Sequence, residues 1–227
     1  MNMNFDSFVL CAATADLDDE PDAREDADAV EFRMDLTDDP LDALDAYDGE
    51  LPILATNRAE WEGGEAADRG RLDALGEAAT FDAVEAIDLE LDSIRTERGQ
   101  RVAAEAREHD VSIVVSAHNF ERTPSPADLR KVLDEATSFG DVGKLAVTAH
   151  SREDVLVLLA ATQEFDAKGE CVATMAMGEA GRHSRAVAPL YGARIGYAPV
   201  DPDDATAPGQ YDLATLRELV DRLRSHD

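Results

Sequence analysis

Short apolar runs alternate along the chain with longer segments in which apolar residues recur at every third or fourth position. The short runs have the length and flanking turn residues of buried strands, whereas the longer segments have the periodicity and polar first turns of helices. This pattern predicts eight strands, at residues 7–14, 29–36, 51–58, 83–91, 111–120, 142–149, 171–177 and 193–198. It predicts clear helices at residues 66–79, 95–109, 125–139, 151–167 and 212–224, and shorter ones at 23–27 and 41–47.

Strand and helix alternate throughout the chain, which is typical of a parallel sheet covered by helices. Eight such units in 227 residues favour an α/β fold in which a single-domain (β/α)8 TIM barrel spans residues 1–227. An open, doubly wound sheet is the alternative. It has less support, because no glycine-rich phosphate-binding loop follows the first predicted strand.

The chain is very acidic, with 50 Asp and Glu against 21 Lys and Arg and a formal net charge of −29. Such a chain repels nucleic-acid phosphates and anionic membrane surfaces, so neither is an expected partner. Hydrophobic residues make up 44% of the chain and are clustered, so we expect a globular core in spite of the charge.

The apolar runs also bear on where the protein works. None approaches the roughly 18 residues of a membrane span. The first residues lack the basic start and apolar block of a signal peptide, so the expected location is cytoplasmic. Cys11 and Cys171 both lie within apolar runs, which indicates buried free thiols and neither a disulfide nor a metal site.

The charge imbalance further predicts an adaptation to salt. A surface this negative destabilises the folded state by self-repulsion unless dissolved ions screen it. The near absence of lysine and the abundance of Asp and Ala fit a halophilic protein of a high-salt cytoplasm. An acidic surface without any salt adaptation is the alternative.

Charged residues interrupt two of the predicted strands. Glu31, Arg33 and Asp35 alternate with apolar residues on the second strand, and Asp88 and Glu90 do so on the fourth. The two-residue period of a strand places each set on one face, and helices cover the outer face of a barrel, so these charges should point inward. Buried charges need partners, so the set predicts either a structural ion-pair network or a polar active site.

Lys144 lies in the apolar sixth strand, whereas Lys131 and Lys168 have polar surroundings. A desolvated lysine loses affinity for its proton, and the neutral amine can attack a carbonyl to form a Schiff base. A structural lysine paired with a buried carboxylate is the other interpretation. His118 ends the neighbouring fifth strand and is a candidate acid/base group, although a hydrogen-bonded structural histidine fits that position too.

Six motifs in this order resemble type I 3-dehydroquinate dehydratase, a Schiff-base enzyme of the shikimate pathway of aromatic amino-acid biosynthesis. The similarity runs from the first strand to Gln210. The matching pieces are Glu31-Phe32-Arg33-Met34-Asp35; Arg58 with Glu62-Gly63-Gly64; Ser116-Ala117-His118-Asn119-Phe120; Lys144; Met177-Gly178 with Gly181, Ser184 and Arg185; and Ala207-Pro208-Gly209-Gln210.

The resemblance implies a lyase that converts 3-dehydroquinate to 3-dehydroshikimate. It assigns imine formation to Lys144, general acid/base catalysis to His118 and the orientation of that histidine to Glu62. It also implies that no metal or organic cofactor is needed and that the protein is a homodimer. The residues it implies for substrate binding are Glu31, Arg33, Arg58, Met175, Met177, Arg185, Thr206 and Gln210.

Two positions depart from the family pattern. The family commonly has Asp where this chain has Asn119, and its glycine-serine before the last strand is Gly192-Ala193 here. Two other functions stay open. One is another Schiff-base barrel lyase, such as a class I aldolase, and the other is a catalytically silent barrel that binds a metabolite.

Overall fold

A computed structural model describes residues 3–201 and 209–225 of the protein. Eight strands form one sheet in the order β7-β6-β5-β4-β3-β2-β1-β8, and every pair is parallel. The strands are β1 (Val9–Thr14), β2 (Ala29–Arg33), β3 (Ile53–Thr56), β4 (Val84–Glu90), β5 (Ser112–Asn119), β6 (Val142–Thr148), β7 (Val172–Met177) and β8 (Ile195–Pro199).

Helices connect the strands on the outside of the sheet. They are α1 (Glu20–Ala23), α2 (Pro40–Ala46), α3 (Asp68–Ala78), α4 (Leu91–Ile94), α5 (Glu97–Glu108), α6 (Pro126–Phe139), α7 (Arg152–Asp166), α8 (Ser184–Val187) and α9 (Leu213–Arg224). Single turns of 3-10 helix lie at Leu17–Asp19, Met34–Leu36, Glu60–Glu62, Glu179–Gly181 and Ala188–Tyr191.

The sheet curls into a nearly closed barrel. Strand β1 pairs with both β2 and β8. Between β7 and β8, the Arg194 N–H donates to the Val172 carbonyl at 2.8 Å, and Val172 forms an isolated parallel bridge with Ala193. The predicted (β/α)8 barrel is therefore confirmed, and the open doubly wound sheet is wrong.

Alternation along the strands separates an inner core from an outer one. Small and branched side chains such as Cys11, Ala86 and Val114 fill the barrel interior, and Met3 and Phe5 pack with them. The alternate residues face the helices in three further apolar clusters. Polar side chains lie above this inner core, at the end of the barrel that the carboxyl ends of the strands form.

Helix starts follow the polar signals of the sequence. The Ser125 and Ser151 side chains accept hydrogen bonds from the third residue of α6 and α7, and Asp154 returns the bond at Ser151 to complete a capping box. In the described part of the chain, no helix has both the length and the apolar character needed to cross a membrane.

Three expectations about local structure are wrong. The first helix covers Glu20–Ala23 and not residues 23–27, because Pro21 in its first turn favours an earlier start. Strand β2 ends at Arg33, so Asp35 lies in a 3-10 turn beyond it. The segment after β7, where the pattern predicts no helix, contains α8. Cys11 is buried, as expected, whereas Cys171 is only half-buried.

Candidate active site

An open pocket lies at the carboxyl ends of the strands. Ten of the eleven site residues named from the sequence line it, namely Glu31, Arg33, Arg58, Glu62, His118, Lys144, Met175, Met177, Arg185 and Gln210. The eleventh, Thr206, lies outside the described residues. The remaining lining residues are Thr56, Gly63, Phe120, Ala146 and Tyr197. The fold thus brings together residues from nearly the whole chain, at the end where such barrels hold their sites.

Lys144 projects from β6 into the barrel, and its ammonium group has three neighbours. Nζ donates a hydrogen bond to Asp88 Oδ2 at 2.9 Å and lies 3.6 Å from Glu31 Oε1. The centroid of the Tyr197 ring is 4.0 Å from Nζ. Lys144 is buried yet lines the pocket, so it is both a paired lysine and an amine that faces the cavity.

Asp88 joins Lys144 to a second cation. Arg58 Nη2 lies 2.8 Å from Asp88 Oδ1, and the Ser116 hydroxyl donates to the same oxygen at 2.6 Å. Burial alone raises the pKa of Asp88, but Arg58 and Lys144 outweigh burial and hold that pKa well below its usual range. Burial lowers the pKa of Arg58, and the surrounding carboxylates, Asp88 foremost, outweigh burial and raise it. Both groups are therefore charged.

His118 and Glu62 form a second pair of interacting side chains in the pocket. The His118 Nδ1 lies 3.1 Å from Glu62 Oε1, and the His118 backbone N–H donates to the same oxygen at 2.7 Å. Burial lowers the pKa of His118, and the cations Arg58 and Lys144 lower it further. Burial raises the pKa of Glu62 to about 7. The imidazole is therefore neutral at pH 7, and Nε2 is the ring nitrogen that Glu62 leaves able to take up a proton.

Two glycines shape the loop that carries Glu62. Gly63 has a φ of 81°, in the left-handed region, and a Cβ there would lie 2.5 Å from the Phe120 ring. A Cβ on Gly64 would lie 2.2 Å from the Arg58 carbonyl oxygen. The turn after Glu62 therefore requires glycine at both positions.

A buried ion pair between Arg71 and Glu90 holds the same loop in place. Arg71 of α3 donates to Glu90 Oε2 at 2.9 Å and to the Asn57 carbonyl at 3.4 Å. Glu90 in turn accepts a hydrogen bond from the Ala59 N–H at 3.0 Å. The backbone is thus held on both sides of Arg58. Arg71 was not singled out from the sequence, because a charged residue in a helix is ordinary there.

Arg33 and Asp35 differ from the expected three-charge strand face. Arg33 ends β2 and binds Asp35 in a bidentate ion pair, with Nε–Oδ1 at 2.8 Å and Nη2–Oδ2 at 2.7 Å. Asp35 reaches this position from the 3-10 turn and also accepts the Glu65 N–H at 3.1 Å. It therefore positions Arg33 and is not itself a lining residue.

Arg185 lines this pocket and forms no ion pair with any of the residues that the structure describes. It lies on α8 and is buried, and among the described residues its Nε has no hydrogen-bond partner. Burial lowers the pKa of Arg185 to about 10. A buried guanidinium of this kind is costly, and an anion bound in the pocket would offset that cost.

Apolar side chains complete the walls. Met175 and Met177 face inward from β7, and Phe120 stacks on the His118 ring at 5.6 Å between centroids. Tyr197 was missed from the sequence, because a tyrosine in the apolar last strand looks like a core residue. A signal did exist for Asp88, which was recognised as inward-facing but not assigned to the site.

Asn119 has a local role that an amide fulfils. Its Oδ1 accepts hydrogen bonds from the backbone N–H groups of Glu121 and Arg122 at 3.1 and 2.9 Å. These bonds close the turn after β5 and need only a side-chain acceptor oxygen, which Asn and Asp both supply. Asn in place of the family's usual Asp is therefore compatible with this turn.

Comparison with known proteins now identifies the family. The model of the type I 3-dehydroquinase family matches residues 8–227. The chain belongs to this family. A 3-dehydroquinate dehydratase from Haloarcula marismortui is 62% identical to it over 227 residues, covering 98% of this chain and 99% of the relative.

Two solved structures extend the family likeness to three dimensions. The 3-dehydroquinate dehydratase of Geobacillus kaustophilus superposes with a TM-score of 0.85 at 29% identity, covering 98% of this chain and 93% of that one. A type I 3-dehydroquinate dehydratase from Clostridium difficile, solved with covalently modified comenic acid, gives 0.83 at 25% identity, covering 97% and 94%. The family resemblance inferred from the six motifs is therefore confirmed, and with it an enzyme of this family.

In the described ranges, no group of three or more His, Cys, Asp or Glu side chains is arranged to hold a metal ion. Three of the pocket cations, Arg33, Arg58 and Lys144, instead form ion pairs with buried carboxylates.

Proposed function

We propose that this protein dehydrates 3-dehydroquinate through an imine on Lys144, with His118 as general acid/base. One observation carries the proposal. A lysine amine, a neutral histidine held by a carboxylate, and a buried guanidinium line the same pocket, and the Nε of that guanidinium has no hydrogen-bond partner among the described residues. These are the groups required to activate a ketone, move a proton and bind a carboxylate.

The surroundings of Lys144 suit imine formation. When an alkylammonium and a ketone give a protonated imine and water, the nitrogen keeps its positive charge overall. Asp88 and Glu31, which balance the charge of the ammonium at 2.9 and 3.6 Å, therefore also balance that of the imine. The carboxylate pairing supports a reactive lysine here and does not argue against one.

The elimination follows from the protonated imine. His118 Nε2 removes a proton from the carbon next to the imine carbon, and the electron pair moves into the C–C bond and onto nitrogen. Expulsion of the hydroxyl from the following carbon, with the proton held by His118, releases water and leaves a conjugated imine. Hydrolysis of this imine returns Lys144 and the unsaturated ketone, so atoms and charges balance.

The cations of the pocket support an anionic substrate. Arg185 lines the cavity, and its Nε has no hydrogen-bond partner in the described part of the chain. Gln210 lines the same pocket, and the family resemblance implies that these two residues bind the substrate carboxylate. Arg33 and Arg58 are held by Asp35 and Asp88, which supports a role for them in contacts to ring hydroxyls and the reacting end. Homodimer formation and a cytoplasmic location stay predictions.

Turnover of 3-dehydroquinate in concentrated KCl, followed by the ultraviolet absorbance of the conjugated product, tests this function. For Arg185→Met we expect KM to rise by about 100-fold with a smaller change in kcat, because a charge-assisted contact to the carboxylate is made before and during the reaction. The variant Arg185→Lys keeps the positive charge, so its KM should rise less than that of Arg185→Met.

Two outcomes would contradict the proposal. One is no turnover of 3-dehydroquinate by a folded protein that instead cleaves phosphorylated aldol substrates, as a class I aldolase does. The other is an Arg185→Met variant with unchanged KM, which would remove the assigned carboxylate contact.

A further inference from the structure

Tyr197 occupies a place in the site that neither motif nor acid/base chemistry assigns. It is the third residue of β8 and stands in register with Cys11 of β1. The side chain is buried, yet it lines the same cavity as Lys144. Its ring centroid lies 4.0 Å from Lys144 Nζ, which is close enough for a strong cation–π contact.

The ring, and not the hydroxyl, makes this contact. The Tyr197 Oη is buried and has no hydrogen-bond partner among the described residues. The hydroxyl therefore holds neither Lys144 nor a carboxylate. A buried polar group in this state costs stability, so packing of the ring is what the position provides.

We propose that Tyr197 is a positioning residue for the imine step, and that its ring face holds the positive charge of Lys144 Nζ. The inference rests on the proposed function, in which Lys144 forms the imine. An aromatic face attracts a cation but accepts no proton from it, whereas Asp88 and Glu31 can do both. The ring thus favours the protonated imine, the form that withdraws electrons from the neighbouring carbon.

Other groups also act on the charge at Nζ, and the test has to hold them constant. The titratable and charged groups are Cys11 on β1, Glu31 on β2, Arg58 after β3, Asp88 on β4 and His118 on β5, and the adjoining strand β7 has no titratable side chain. Substitutions confined to the Tyr197 ring leave all of them in place, so a change in behaviour can be assigned to the ring.

Three replacements of Tyr197 separate the ring from the hydroxyl and from packing. Tyr197→Phe keeps the ring, and Tyr197→trifluorophenylalanine keeps its shape but weakens the attraction of its face for cations. Tyr197→Leu removes the ring. We expect kcat within about threefold of wild type for Phe, about tenfold lower for trifluorophenylalanine and about 30-fold lower for Leu, with KM little changed.

The pH dependence of kcat gives a readout that a purely structural role would not move. Loss of the ring's attraction should shift the alkaline limb to lower pH by about one unit in the trifluorophenylalanine and Leu variants, and not in Phe. Circular dichroism in the same KCl buffer checks that each variant is folded. The trifluorophenylalanine variant keeps the test decisive even if Leu does not fold.

Equal kcat and equal pH profiles for Phe and trifluorophenylalanine would overturn the inference. So would a tenfold loss in a folded Phe variant, because the hydroxyl would then carry the effect. Borohydride trapping of the wild-type imine separates this result from failure of the proposed function. An adduct on Lys144 with no ring effect removes only the role of Tyr197, whereas no adduct at all removes the imine.

Discussion

Buried charge around Lys144 is arranged in pairs, and the exception points to the substrate. Lys144, Asp88 and Arg58 each lie within 3 Å of an opposite charge. Arg185 has no such partner among the described residues, and burial brings its pKa down to about 10. Pairing holds the charged groups in defined positions, whereas we propose that the guanidinium of Arg185 binds an anionic group of the substrate.

The His118–Glu62 pair should control the pH dependence of the reaction. The pKa of Glu62 is raised to about 7, so its carboxylate forms as pH rises through that value, and we propose that this carboxylate strengthens His118 as a base. We expect kcat of the wild type to rise through about pH 7. Glu62→Gln should lower kcat by about 100-fold and remove this rise, because an amide does not ionise in this range. A wild-type acid limb retained in Glu62→Gln would contradict the assignment.

The same pKa shift makes the stability of the folded protein depend on pH. Folding raises the pKa of Glu62 from 4.5 to about 7, so the folded state favours the protonated carboxyl. Its contribution to the free energy of unfolding is therefore present below about pH 4.5 and lost as pH rises through 7. Glu62→Gln should stabilise the protein relative to wild type by about 2 kcal/mol more at pH 8 than at pH 5, measured by urea unfolding in KCl.

At the scale of elements, the loop between β3 and α3 carries two site residues, Arg58 and Glu62. It has almost no regular structure beyond one 3-10 turn, so its shape depends on contacts from its neighbours. Arg71 of α3 and Glu90 of β4 supply them through the Asn57 carbonyl and the Ala59 N–H. The site is thus held in place by the barrel and by one helix packed outside it.

Removal of this anchor should cost more than removal of a surface pair. Arg71→Met leaves Glu90 buried without its closest cation, so we expect the free energy of unfolding to fall by about 3 kcal/mol. Arg98→Met is the matched control, because Arg98 pairs with exposed Asp73 at the surface, and we expect a loss below about 1 kcal/mol. Equal losses in urea unfolding would show that the Arg71 pair does not anchor the loop.

The strands and their inward charges could be predicted from the sequence because a two-residue period determines which face a side chain takes. Glu31, Asp88 and Lys144 meet inside the barrel for that reason. Asp35 could not be placed, since β2 ends early and a 3-10 turn redirects the chain. The helix that carries Arg185 could not be predicted either, because four residues are too few to show a helical period.

The contact of Tyr197 with Lys144 could not be predicted from the sequence for a different reason. The aromatic ring is apolar, so a pattern of apolar residues cannot distinguish a core tyrosine from one that faces an amine. Only the closure of the barrel, which brings β8 around to the strands bearing Lys144 and Glu31, reveals the contact. Contacts between distant strands depend on tertiary structure, and no local sequence pattern reports them.

At the scale of the whole molecule, a net charge of −29 surrounds a pocket with the opposite balance. Among the described residues, its lining contains four cations, Arg33, Arg58, Lys144 and Arg185, against the two carboxylates Glu31 and Glu62. Salt screens charges that are exposed more than those that are buried. A high-salt environment would therefore weaken repulsion across the surface while leaving the pocket able to attract an anionic substrate.

Stability should consequently depend on salt. We expect the thermal unfolding midpoint to rise steadily as KCl increases from about 0.1 M to 2 M, where the screening length falls to a few ångströms. Circular dichroism at constant pH measures the midpoint. If the protein is fully folded in dilute buffer and its unfolding midpoint there equals the midpoint in 2 M KCl, the acidic surface is not an adaptation to salt.

Trapping of the imine tests the central claim most directly. The protein is incubated with 3-dehydroquinate in concentrated KCl, reduced with borohydride, digested and mapped by mass spectrometry, with Lys168→Met and Lys144→Met as controls. We expect one reduced adduct per chain, on Lys144, equally in wild type and Lys168→Met and absent from Lys144→Met. An adduct on another residue, or none from a folded and active protein, would contradict the account.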